Sequence, residues 1–106
     1  LKMTEYRLNK AEKVRVLINN VAKTKVINGK SIVTYSNYIN LVPGVVYKTD
    51  DEAMLNFFRN YKRKVRYNAE VERALKENNV PYEIEMCRSC GGKIKKISYR
   101  PVEVIE

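Results

Sequence analysis

The stretch Thr24-Lys25-Val26-Ile27-Asn28-Gly29-Lys30-Ser31-Ile32-Val33-Thr34-Tyr35 decides the class of this fold. Asn28-Gly29 is the strongest short-range signal for a two-residue hairpin, because both central positions of that turn require φ > 0. The flanks, residues 24–27 and 30–35, are rich in β-branched side chains and read as its strands. Working outward, residues 14–18 are short and mostly apolar, broken only by Arg15, and residues 38–42 form another strand candidate. Pro43-Gly44 then suits the central positions of a type II turn and leads into a further strand at residues 45–47.

Beyond residue 48 the period changes. Thr49-Asp50-Asp51-Glu52 reads as a capping box, with Thr49 capping a helix and Glu52 reaching back to it. Met54, Leu55, Phe58 and Tyr61 follow at helical spacing and give one apolar face. Asn68 caps a second helix, in which Val71, Ala74 and Leu75 face inward while Glu72 and Lys76 form an i,i+4 pair outside. Asn79 lies near its end and Pro81 stops it. Residues 82–86 and 93–99 read as two strands joined across residues 87–92, and Pro101 closes that ladder before a last strand at 102–105. The expected fold is therefore α+β: a β-rich N-terminal half, two short helices, and a C-terminal β-hairpin carrying a CxxCGG knuckle-like turn.

With 106 residues, 44% of them hydrophobic, the chain supports one modest core, so residues 1–106 are expected to form a single domain. No apolar run approaches the roughly 20 residues of a membrane span. The start, Leu1-Lys2-Met3-Thr4, leads into charged residues without the apolar stretch of a secretory signal. Two cysteines are no disulfide framework, which points to a reducing compartment. Charge is uneven: residues 1–48 hold nine Lys/Arg against two Glu, a net of +7 within the total of +9. Such an excess favours anionic partners, whether nucleic acid or an acidic protein face.

Cys87-Arg88-Ser89-Cys90-Gly91-Gly92-Lys93 is the sharpest motif. A thiolate pair on a glycine turn is how zinc knuckles aim two sulfurs at one point, yet structural zinc takes four ligands and the chain has no histidine. Cys87 and Cys90 would therefore need ligands from another chain, giving a zinc-bridged homo-oligomer. Against this stand a metal-free hairpin turn, which ranks first, and a redox pair, which ranks last because a hairpin tip lacks the helix N-terminus that lowers a thiol pKa. The second cluster is the basic run containing Arg59, Lys62, Arg63, Lys64 and Arg66, with Tyr61 and Tyr67 beside it. It reads either as a nucleic-acid or anion contact or, more simply, as basic residues complementing the C-terminal dipole of the first helix.

The scattered N-terminal basic residues, Lys2, Arg7, Lys10, Lys13, Arg15, Lys23, Lys25 and Lys30, would line one face of a sheet or guard its edges. Tyr35, Tyr38 and Tyr47 suit strands and interfaces alike. No histidine, nucleophile elbow or phosphate loop is present, so the chain is not expected to be an enzyme.

The stretch Leu41-Val42-Pro43-Gly44-Val45-Val46-Tyr47-Lys48-Thr49-Asp50-Asp51-Glu52-Ala53-Met54 resembles small structural proteins of tailed bacteriophages, in which a basic β-rich start leads through a Pro-Gly turn and an acidic cap into a short helix. The ending Pro101-Val102-Glu103-Val104-Ile105-Glu106 has the same character. The resemblance implies a non-enzymatic virion component, a capsid or tail accessory or decoration protein bound to other virion or phage proteins, located in the virion or the host cytoplasm. It carries over no functional residues. The alternative expectation is a small basic nucleic-acid-binding regulator that dimerises through zinc at Cys87 and Cys90. Neither reading involves a membrane or a cofactor other than that zinc.

Overall fold

A computed structural model describes residues 2–89 and 91–106, with the backbone alone for residues 20–25 and 33–37. The chain is α+β, with ten elements in the order β1 (Thr4–Leu8), β2 (Val16–Ile27), β3 (Lys30–Leu41), β4 (Tyr47–Thr49), α1 (Glu52–Asn60), β5 (Arg63–Arg66), α2 (Ala69–Glu77), β6 (Tyr82–Met86), β7 (Lys95–Tyr99) and β8 (Val102–Ile105). All strand pairs are antiparallel and fall into three sheets: β4-β1-β8, β5-β7-β6, and the two-stranded ribbon β2-β3.

The Asn28-Gly29 turn has the expected backbone, with φ of 52° and 75°. The four strand candidates around it fuse into two strands of 12 residues each, in register from Val16↔Leu41 to Ile27↔Lys30. Pro43-Gly44 makes the type II turn, with Gly44 at φ 82° and the Val45 N–H donating to the Val42 carbonyl. The strand after it is β4, two residues later than the sequence suggests, because Tyr47, Lys48 and Thr49 pair with Tyr6, Glu5 and Thr4 of β1.

That pairing also moves the cap of α1. Thr49 is held in the strand, and Asp51 is the N-cap instead, its Oδ1 accepting from the Ala53 and Met54 N–H groups at 3.1 and 3.2 Å. The Thr49 hydroxyl accepts from the Asp51 N–H one step earlier. Asn68 caps α2 as expected, accepting from the Glu70 N–H at 2.8 Å. The helix ends in a Schellman motif: Val80 N–H bonds the Leu75 carbonyl, Asn79 N–H bonds the Lys76 carbonyl, and Asn79 sits at φ 56°. Val80 packs with Leu75, the apolar contact that accompanies this motif.

Of the basic run, Arg59 alone lies in the last turn of a helix. Helix α1 stops at Asn60, and residues 63–66 form β5, paired with β7. Here the alternation of Arg63, Lys64, Val65 and Arg66 is a period-two strand pattern, with Val65 turned into the core.

Two apolar clusters result. One gathers Tyr6, Leu8, Val16, Ile18, Leu41 and Val102 around Met54, Leu55 and Phe58 of α1. Phe58 stacks on Tyr6 at 5.0 Å between ring centroids. The other sets Leu75 of α2 against Ile97 and Tyr99 of β7. Glu72 ties α2 to its sheet: the Tyr67 and Tyr82 hydroxyls both donate to its carboxylate at 2.8 Å, and Lys76 adds a favourable charge. These hydrogen bonds, Tyr67 first, hold its pKa below the usual carboxylate range.

Truncation of Phe58 to Ala removes the centre of the first cluster and is expected to cost about 3–5 kcal/mol, measured by urea unfolding. Because the folded pKa of Glu72 is depressed, its contribution is present above the normal carboxylate pKa and is lost as pH falls through the lower, folded value. A Glu72→Gln variant should therefore lose less stability than the parent on acidification across that window, in unfolding curves recorded at stepwise pH.

Candidate functional site

The ribbon β2-β3 sets this chain apart from a closed α+β domain. Its root is covered. Val16, Ile18 and Leu41 are buried under α1 and Ile39 is packed against them, whereas further out nothing pairs with either edge among the described strands. Strands of this length reach about 40 Å at roughly 3.4 Å per residue, and the molecule measures 52 × 31 × 20 Å. A lone two-stranded ribbon is marginal in water unless something packs on it.

Register sorts the residues of this arm onto two faces. Val16↔Leu41 and Ile18↔Ile39 belong to the face that meets the core. The same face continues outward through the pairs Ala22↔Tyr35, Thr24↔Val33 and Val26↔Ser31, without one charged residue. Val26 near the tip is 71% exposed. The opposite face carries Leu17↔Asn40, Asn19↔Tyr38, Val21↔Ser36, Lys23↔Thr34, Lys25↔Ile32 and Ile27↔Lys30. All three lysines of the arm thus fall on one face, with Leu17 and Tyr38 exposed on it at 57% and 60%. From residue 13 to residue 49 the chain contains no Asp or Glu.

The root is anchored by a polar joint that sequence reasoning missed. Asn9 is buried, and its Oδ1 accepts from the Ala11 and Glu12 N–H groups while its Nδ2 donates to the Arg100 carbonyl. Its backbone N–H donates to the Pro101 carbonyl at 2.9 Å. Glu12, 8% exposed, accepts from the Tyr99 hydroxyl at 2.6 Å and lies 3.8 Å from the Arg63 guanidinium. Burial and then this hydrogen bond push the Tyr99 hydroxyl well above its ordinary pKa, so it remains a donor. A turn-forming Asn followed by Glu three residues later is the available signal, but nothing in the sequence says that both lie inside.

The sequence-derived sites fare differently. The cations of the basic run are largely occupied: Arg59 pairs with Glu52 and Glu106, Lys62 with Glu83, Arg63 with Glu12, and Lys64 with Glu85 at 2.8 Å. The sequence could not reveal this, since β6 brings Glu83 and Glu85 alongside β5 only across β7. Arg66 is exposed on β5. A groove of about 800 Å³ between β6 and β8 is lined by Arg59, Lys62, Glu83, Glu103 and Glu106, which are engaged in ion pairs, and by the exposed Arg100.

At the tip of β6, Cys87 is buried and its N–H donates to the Ile94 carbonyl at 2.7 Å. Its carbonyl accepts from the Gly92 N–H, its Sγ lies 3.2 Å from the Ser89 hydroxyl, and Gly91 and Gly92 both take positive φ. Cys90 lies outside the described residues. Among the described residues, no cluster of three or more His, Cys, Asp or Glu is placed to hold a metal.

Replacing Asn9 with Ala removes its side-chain hydrogen bonds to the Ala11 and Glu12 N–H groups and the Arg100 carbonyl, and is expected to destabilise the chain by about 1–3 kcal/mol. Hydrogen exchange should then rise at the root of the arm, around residues 16–18 and 39–41, more than in α2. Comparison of the chain with family models, curated proteins and solved structures finds no match.

Proposed function

We propose that this chain is a non-enzymatic binding protein, a small bacteriophage virion structural component of the capsid or tail accessory class, held in place by protein–protein contacts through its β2-β3 arm. The observation that carries this reading is the uncharged face of the arm, which continues the core face of Val16 and Ile18 outward in register and reaches Val26, 71% exposed near the tip. A strip of Ala22, Thr24, Val26, Ser31, Val33 and Tyr35 suits an apolar protein surface. The unpaired ribbon edges offer backbone donors and acceptors for strand addition to a neighbour. Seating the arm also resolves its marginal stability, because burial against a partner replaces the water that competes with an isolated ladder.

The glycine turn at residues 87–92 serves, in this reading, as the knuckle-like tip that returns the chain from β6 to β7. The phage setting comes from the resemblance of residues 41–54 to such proteins, and the arm supplies the means of attachment.

Incorporation into particles tests the proposal. Mass spectrometry of purified virions should find the chain at a fixed ratio to the coat subunit. A double variant with Ala22→Glu and Val26→Glu should fold like the parent by circular dichroism, yet fall at least about tenfold in particles, which corresponds to roughly 1.4 kcal/mol of lost contact. Absence of the parent chain from particles, or unchanged incorporation of the variant, overturns the reading.

A further inference from the structure

The lysine face of the arm has a use that the docking face does not explain. Lys23 and Lys25 are two residues apart on one strand, about 7 Å at the usual rise. Lys30 sits diagonally across the ladder from Lys25, since Lys25 pairs with Ile32, and diagonal neighbours lie about 7–8 Å apart. Lys13 and Arg15 add charge where the arm leaves the body, and no acidic residue interrupts the segment. Interleaved with the lysines on the same face are Asn19, Thr34, Ser36, Tyr38 and Asn40, which are hydrogen-bonding types without negative charge.

The contrast with β5 is what makes this face informative. There each cation except Arg66 faces a carboxylate of the same molecule, so little positive potential is left for a partner. Residues 13–49, which include the whole arm, provide no carboxylate, and among the described strands β2 and β3 pair only with each other. A narrow, cationic two-stranded ribbon also has the dimensions of an element that enters the major groove of a DNA duplex, and phosphate neutralisation by such lysines is independent of base sequence.

We infer that the lysine face of the β2-β3 arm binds double-stranded DNA through its phosphate backbone, with Lys23, Lys25 and Lys30 as the contacting charges. This site is distinct from the Arg59–Arg66 run and lies on the opposite face of the ribbon from the protein-docking strip. It does not rest on the virion reading, because incorporation is read at Ala22 and Val26 and DNA binding at the lysines.

The experiment is fluorescence anisotropy of a short labelled duplex of random sequence, titrated with the purified full chain. Three phosphate contacts predict a loss of roughly 40-fold in affinity between about 50 and 200 mM salt. The triple variant Lys23→Gln, Lys25→Gln, Lys30→Gln should lose at least about tenfold at low salt and show a flattened salt dependence, with an unchanged unfolding midpoint. The pair Lys62→Gln, Lys64→Gln should bind within about twofold of the parent. An acidic protein surface as the true occupant would appear as equally tight binding of a poly-glutamate peptide, and that result overturns the inference. So does a parent chain that leaves the duplex unbound at low salt, or a triple variant that binds as the parent does.

Discussion

Everything in this molecule is hung on the buried amide of Asn9. The two apolar clusters are joined through short connections, and the passage from β7 to β8 is only Arg100 and Pro101. Asn9 bonds the backbone carbonyls of both residues, and its own side-chain oxygen shapes the turn that places Glu12 beneath Tyr99. One residue, through its backbone N–H and its side chain together, therefore ties the end of β1 to the crossing between the two three-stranded sheets and to the turn that leads into the arm. An apolar residue there would fill the space and keep the backbone bonds, but the Arg100 carbonyl and the Ala11 N–H would lose the side-chain partner that Asn9 gives them, a cost that counts against the few kcal/mol of stability of a small domain.

From that joint the arm inherits its orientation, and its two faces follow without further specification. A strand alternates sides with period two, so once Val16 and Ile18 are buried against α1, every even-numbered position of β2 lies on the core face. The lysines at 23 and 25 are odd-numbered and Lys30 pairs opposite Ile27, which places all three on the other side. A slip of one residue would exchange the faces and drive Leu17 and Asn19 toward the core. The type I′ turn at Asn28-Gly29 prevents that slip, because its two left-handed residues admit only the Ile27↔Lys30 closure.

Local chemistry was well read from the sequence wherever a residue's own backbone preference decides the outcome. The Asn28-Gly29 and Pro43-Gly44 turns, the Asn68 cap and the helix end near Asn79 all belong to this group, as do the β6 and β8 assignments, while β7 begins at Lys95, two residues later than residues 93–99 suggest. Readings that depend on a distant partner did not survive as well. Thr49 looks like a cap until β1 claims it for a ladder, and the cap passes to Asp51. Residues 63–66 look like a helix terminus until β7 pairs with them. The arm is the largest case: its four strand candidates were legible, but their fusion into an unaccompanied ribbon depends on the other strands finding better partners elsewhere. Glu12 and Asn9 were illegible for the same reason, since their burial is created by Tyr99 and Pro101, almost the whole chain away.

Net charge is the property most easily misread in such a chain. The dense run at residues 59–66 draws attention to the C-terminal half, although residues 1–48 hold +7 of the total of +9. Yet an exposed cation facing a carboxylate of its own molecule contributes a near-neutral pair whose field fades within a Debye length of about 8 Å. Lys62, Lys64 and Arg59 are in that condition. The field that reaches a partner is strongest where cations lie in a stretch without carboxylates, and residues 13–49, which hold Lys23, Lys25 and Lys30, are such a stretch. Charge carried on a ribbon that has only its own two strands has a physical logic: a partner that binds the folded ribbon and not the unfolded chain adds its binding free energy to the ribbon's stability, so attachment and stability draw on the same contact.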